Sequence, residues 1–346
     1  MRRLVILLTL LALSQPLART LAKDESVIAS FEPVEQTTIE SPLSMGPGIP
    51  ELPSRAEGLG AATCDRCPDW DLISFVGYDA FRSIVDDSWE NNGIHVGGNL
   101  GTRLGALSDL TGVGFQIGGS FGVYDWSGSD SRPTDASAPQ QQGFVTYGLF
   151  RKVQENSPWS AALVQDWMLN DNYGIFSTSP TLSQLRGEVS YAWDRSNELG
   201  VWGTAALVSD NRDISGVGAT TWRPIDQINV FWHHKWEWKG ADTSIWLGLP
   251  VEDHVGGEGN VGEWFAGAAA NVPLNDRFAL YTLVTYMRPT ADNGMAGAET
   301  DSWNFTVGVS FSFTGSARSD TVAGRCWTPL LPVANNGYFL VNTNLH

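Results

Sequence analysis

The chain is poor in thiols, poor in positive charge and free of long apolar runs beyond its first residues. After residue 13 nothing approaches the roughly twenty consecutive apolar residues that a spanning helix needs. An integral membrane form would have to be a closed β-barrel, the other structure that satisfies its own backbone in lipid. Lys and Arg number 21 against 38 Asp and Glu, for a formal charge of −17. Losing Arg2, Arg3 and Arg19 with an export signal would make it more negative. Nucleic acid is excluded as a partner, because phosphate contacts need a basic surface. Any pore or surface site would prefer small cationic solutes to anions, although the same acidity also serves simply to keep loops soluble.

Cys64, Cys67 and Cys326 are the only thiols. A haem attachment needs His directly after the second Cys, where Pro68 stands. Zinc would want a fourth ligand nearby, and none is present. No βαβ setting supports a thioredoxin-like motif. In an exported protein the default is a disulfide. A bridge from Cys326 to Cys64 or Cys67 would pin the C-terminal tail beside the first and last strands. A Cys64–Cys67 bridge is the alternative, and either way the role is structural. There is no G-x-S-x-G, and His95, His254 and His346 lack a recognisable Ser/Asp spacing. Gly112-x-Gly114 and Gly118-Gly119 fall within a strand rather than before a helix, which rules out a phosphate loop. No cofactor and no enzymatic activity are expected. A lipase-type reading would turn to Ser190 or Ser244.

What the chain does contain begins with an address. Arg2 and Arg3 precede the apolar run Leu4 to Leu13, and cleavage after Ala22 fits a signal peptide over residues 1–22. No lipobox cysteine follows. Residues 23–62 carry Pro33, Pro42, Pro47, Pro50 and Pro53 among Glu, Ser and Gly, and read as a disordered linker.

Residues 63–314 read as a barrel domain and 315–346 as a C-terminal tail. The composition suits a barrel, with 37 Gly, 15 Trp, 15 Phe and 8 Tyr, since barrels use small residues inside and aromatics in girdles. The last strand shows the pattern most clearly. From Trp303 to Phe313 every odd position is large and apolar and every even one is small or polar, so one face is greasy and the other wet. Similar alternation is expected at 94–104, 112–126, 143–152, 159–169, 185–194, 199–208, 227–238, 243–251, 262–272 and 278–288. The connections alternate short and long, as in outer-membrane barrels with periplasmic turns and longer external loops. Parity then requires one more strand to bring the chain across, and residues 72–82 supply it. The rival reading makes 72–85 a short helix plugging the pore. The fold expected is an all-β, closed, antiparallel up-and-down barrel of about twelve strands.

Phe75-Val76-Gly77-Tyr78-Asp79-Ala80-Phe81-Arg82, followed by Asn91-Asn92-Gly93, Asn99-Leu100-Gly101 and Gly114-Phe115-Gln116-Ile117-Gly118, resembles the opening of a barrel family of planctomycete-type bacteria. Its members are similar in having an export signal, a variable linker and a Gly- and aromatic-rich β-region, and are mostly of unknown function. The resemblance implies an outer-membrane-type barrel and carries no catalytic residues. Outer-membrane barrels generally end on their closing aromatic, whereas residues 314–346 follow Phe313 here.

Alternation also assigns faces. Phe115, Val189, Val307 and Phe311 should meet lipid. In Phe231-Trp232-His233-His234-Lys235-Trp236-Glu237-Trp238, the residues Ile228, Val230, Trp232, Trp236 and Trp238 would face lipid, with Asn229, His233, Lys235 and Glu237 in the lumen. Adjacent His233 and His234 point oppositely, so they cannot share a metal. Arg186, Glu188 and Asp194 are the other lumen candidates. The expectation is a non-enzymatic outer-membrane barrel with lipid as its partner, either a narrow porin-like channel or a structural envelope protein. A soluble barrel or sandwich binding a glycan or protein is the alternative.

Overall fold

The computed structural model describes residues 68–344 apart from 87–89, 126–138, 155–156, 239, 252–260, 289–300, 315–316, 319–321 and 323–326. The signal and linker expectations, the three cysteines, His254 and His346 lie outside the described residues.

Alternating side chains produce alternating burial. The strands are β1 (Trp70–Arg82), β2 (Asn91–Arg103), β3 (Val113–Tyr124), β4 (Gln140–Arg151) and β5 (Trp159–Asp171). They continue with β6 (Thr181–Ala192), β7 (Asn197–Val208), β8 (Asp210–Ile214), β9 (Gly218–Pro224) and β10 (Gln227–Lys235). The last are β11 (Asp242–Pro250), β12 (Trp264–Pro273), β13 (Phe278–Arg288), β14 (Ser302–Ser312) and β15 (Val341–Thr343). All but β8, β9 and β15 close into one antiparallel barrel, in which β1 pairs with β14 from Ile73↔Ser312 to Arg82↔Trp303. Residues 72–82 are therefore a wall strand and not a plug. The barrel has the twelve strands that the alternation and parity require.

Connections at one end are tight, such as 193–196 and 274–277, or hold only the short helix α1 (Ala106–Thr111). Those at the other end are mostly longer, and residues 209–226 fold into the hairpin β8–β9. Gly216 (φ 84) and Gly218 (φ 101) make its turn in backbone conformations that L side chains rarely adopt.

The outer face is apolar. Val76, Val96, Ile117, Phe121, Leu149, Val230, Ile245, Leu247 and Val309 are all exposed on it. Outward positions carry Asp, Glu, Lys or Arg only at strand ends, at Arg82, Arg151, Asp171 and Arg288. One outward polar group pairs within itself: Tyr147 donates its hydroxyl to Gln165 (2.8 Å), and the Gln165 amide donates to Ser183 (3.0 Å). Trp70, Trp193, Trp236, Trp238 and Phe313 are exposed around the short-turn end.

The tail has a definite place. From Trp327 at the short-turn end it runs through the lumen and emerges at the long-loop end. There β15 pairs antiparallel with β9 to complete a three-stranded sheet. Pro329 and Pro332 oppose a helix, and the segment stays irregular until β15 apart from a turn at 336–338. The apolar clusters inside the barrel are built around it. Val333, Ala334, Phe339 and Val341 join Phe144, Met168, Leu182 and Trp222. Leu331 joins Phe150 and Val164, and Leu340 joins Ile225, Phe265 and Met287. Burying each such aliphatic or aromatic side chain contributes about 1.5–3 kcal/mol.

Candidate functional site

The site is the lumen, with its polar wall and the segment that fills it. Because inward positions recur at every second residue, adjacent strands place their polar side chains in register across the wall. Gln116 on β3 donates its amide to Leu331 O (2.9 Å), and its carbonyl oxygen accepts from the N–H groups of Leu330 and Leu331 (both 3.2 Å). Asn99 on β2 also donates to Leu331 O (2.9 Å). Thr146 accepts from Ala334 N–H (2.9 Å), and Gln142 and Asn336 exchange amide hydrogen bonds. In this way the wall meets backbone groups of the tail that would otherwise be buried without partners.

Arg186 is the strongest of these clamps. It is 1% exposed, its Nε lies 2.9 Å from an oxygen of the fully buried Asp166, and Nη2 donates to Pro332 O at 2.7 Å. The guanidinium also sits over the Tyr338 ring, 5.0 Å from its centroid. Gln184 donates both to Asp166 and to Tyr338 O (each 3.0 Å). Glycines on the wall make room: a Cβ at Gly101 would lie 2.0 Å from Trp327 O, and one at Gly118 would lie 2.5 Å from a Val333 methyl.

Beside the tail remains a cavity of about 470 Å³. Its wall joins two charged clusters. In one, His95 lies with Nδ1 2.8 Å from Asp79 and Nε2 2.7 Å from the Tyr281 hydroxyl, while Tyr124 and Thr306 donate to Asp79. Gly77 is required beside it, since a Cβ there would lie 2.5 Å from the Tyr281 hydroxyl. In the other, His233 stands between Glu198 (3.1 Å) and Asp242 (3.7 Å), with Lys235 3.4 Å from Asp242. Ser160 and Ser190 both donate to Glu198. Glu188 lines the same cavity.

Arg186, Glu188, His233 and Lys235 thus sit on the inner wall, where alternation puts them. Asp194 and Glu237 do not. The strands end earlier than expected, at Ala192 and Lys235. Asp194 accepts from Ser196 N–H (2.7 Å) and from the Asn197 amide, closing the 193–196 turn. Glu237 is exposed in the turn after β10. His234 points outward between the rings of Trp232 and Trp236. Sequence reasoning missed Asp79, Asp166, Glu198 and Asp242. Their signal was available: each occupies an inward position beside a basic or hydroxyl-bearing partner on the neighbouring strand.

The chemistry this wall offers is hydrogen bonding and ion pairing. Ser190 bonds Glu198 rather than a histidine. Among the described residues no three His, Cys, Asp or Glu converge to hold a metal ion.

Among solved structures the barrel resembles outer-membrane barrels. The outer-membrane phospholipase dimer of Salmonella typhi with bound calcium is 14% identical, with 75% of this chain and 97% of that one covered and a TM-score of 0.41. The β domain of the Bordetella autotransporter BrkA is 14% identical over 71% and 100% of the two chains (TM-score 0.37). The anion-selective porin of Comamonas acidovorans is 9% identical over 70% and 98% (TM-score 0.32). No curated protein matches the sequence. Residues 71–341, from the start of β1 to the first residue of β15, match the model of a family of unknown function, DUF6666, and the chain belongs to that family.

Proposed function

We infer that the chain is an exported, non-enzymatic outer-membrane barrel of the narrow porin-like kind, with lipid around it and small solutes, cations above anions, as what its lumen would admit. The observation that carries this reading is the outer face, whose charged side chains stand only at strand ends. A soluble barrel has no reason to keep water-facing strands free of charge, whereas lipid penalises a midplane Arg or Lys by about 2–4 kcal/mol. The exposed tryptophans at the short-turn end suit a membrane interface. That end would then face the periplasm, and the β8–β9 hairpin the outside.

The non-enzymatic part is supported by the hydroxyls. Ser160 and Ser190 donate to the Glu198 carboxylate, and among the described residues neither hydrogen-bonds a histidine. Fractionation tests the membrane reading. The protein is expected to stay in washed envelopes through high salt and urea and to leave only with detergent. Release by salt or urea would mean that the aromatic face binds a soluble partner.

A further inference from the structure

We propose that residues 327–343 are an intramolecular plug that crosses the barrel from end to end and closes a cation-preferring pore. The proposal rests on the porin-like reading above and specifies what that pore admits and what shuts it.

Three observations carry it. The first is continuity. Thr328 donates to Asp71 at the start of β1 (2.6 Å), and Val341 pairs with Pro224 in the β8–β9 hairpin at the opposite end. Between them Leu331, Pro332, Ala334, Asn336 and Tyr338 each bond the wall. A segment fastened at both mouths and along its length is a filling of the lumen rather than a loose end.

The second is the design of the wall. Gln116 and Asn99 aim three amide and carbonyl groups at the Leu330–Leu331 backbone, and these would face an open lumen without the tail. Gly101 stands where any side chain would strike Trp327 and Pro329 of the tail, and Gly118 where one would strike Val333 as well as Gly98 and Asn99 of the neighbouring strand. Those positions are shaped for this segment.

The third is charge. The inward strand positions carry Asp71, Asp79, Asp166, Glu188, Glu198 and Asp242 against Arg103, Arg186 and Lys235, with Lys152 also lining the cavity and His233 held between Glu198 and Asp242. The tail from Trp327 to Thr343 contributes no charge at all. With the plug in place the bore is reduced to the side cavity. With it displaced, ions would meet a wall of net negative charge, which raises the local concentration of cations.

The test uses the full chain. Gln116→Ala with Asn342→Pro removes the three hydrogen bonds from Gln116 to Leu330–Leu331, leaving only the one from Asn99, and takes away the N–H that β15 sets opposite Arg223 of β9, with no change to a barrel-to-barrel hydrogen bond. Wild type and the double variant are inserted into planar phosphatidylcholine bilayers under a tenfold KCl gradient. Wild type is expected to be mostly closed. The variant should be open at least tenfold more of the time, with a reversal potential on the potassium side. Steady conductance in wild type, a variant that inserts yet stays as closed as wild type, or openings without cation preference would each overturn the proposal. A wild type that does not insert overturns the membrane reading itself, a different failure. A second measurement is independent of any variant's folding: an epitope appended after His346 should be labelled on intact cells, and labelling only after the outer membrane is broken would overturn the crossing.

Discussion

Arg186 holds Asp166 on the wall and Pro332 on the tail at once, its Nη2 2.7 Å from the Pro332 carbonyl oxygen. One buried cation thereby links strands β5 and β6 to the segment that fills the lumen. Its removal leaves Asp166 buried without its counter-charge.

Arg186→Ala should therefore destabilise the barrel by about 3–5 kcal/mol, the range for breaking a buried pair. Replacing both partners together (Arg186→Met with Asp166→Leu) should recover much of that loss. Denaturant midpoints in detergent measure both. Equal loss in the single and double variants would mean that the packing of the arginine matters and its charge does not.

The outer face gives a second expectation. Val307 points outward midway along β14. Val307→Leu should fold as well as wild type in bilayers, whereas Val307→Arg should cost about 2–4 kcal/mol. A harmless arginine at this position would contradict the lipid-facing assignment.

Gly101→Ala tests the fit of the tail at its entry. The added methyl would meet the Trp327 carbonyl oxygen and Pro329, so the tail must shift while β2 and its neighbours keep their register. Chymotrypsin should cut at Trp327 faster than in wild type, with the barrel left intact. Unchanged cutting would show that the tail passes Gly101 less closely.

The cysteines extend the same idea. Thr328, two residues after Cys326, bonds Asp71, four residues after Cys67. We propose a bridge from Cys326 to Cys64 or Cys67, which would fix the tail at its entry, with Cys64–Cys67 as the alternative. Peptide mapping of unreduced protein should find one disulfide and one free thiol. Alkylation of all three thiols without reduction would count against either form.

The wall of the barrel was legible in the sequence and its filling was not. Alternation from Trp303 to Phe313 is a local signal, and β14 occupies Ser302–Ser312. The same signal overran strand ends at Asp194 and Glu237. There the chain turns, because the Asp194 carboxylate accepts from the Ser196 N–H and the Asn197 side-chain amide and the residues after Lys235 begin a turn. The tail has no period to read. Its partners Asn99, Gln116 and Thr146 lie far away in sequence, and each looks in isolation like an ordinary polar residue on a wet face. Even the abundant glycine reads only as general barrel composition until Trp327 and Val333 are seen beside Gly101 and Gly118. The hairpin β8–β9 was hidden for a different reason, because its strands are short and lie inside what reads as one long loop.

The most direct test of a closed membrane barrel is electrophoretic mobility of the mature protein from washed envelopes, with and without boiling. A heat-dependent shift is the result expected, since a closed barrel keeps its compact form in detergent until heated. A single mobility under both conditions would contradict the account, and the apolar outer face would then need a protein partner to cover it.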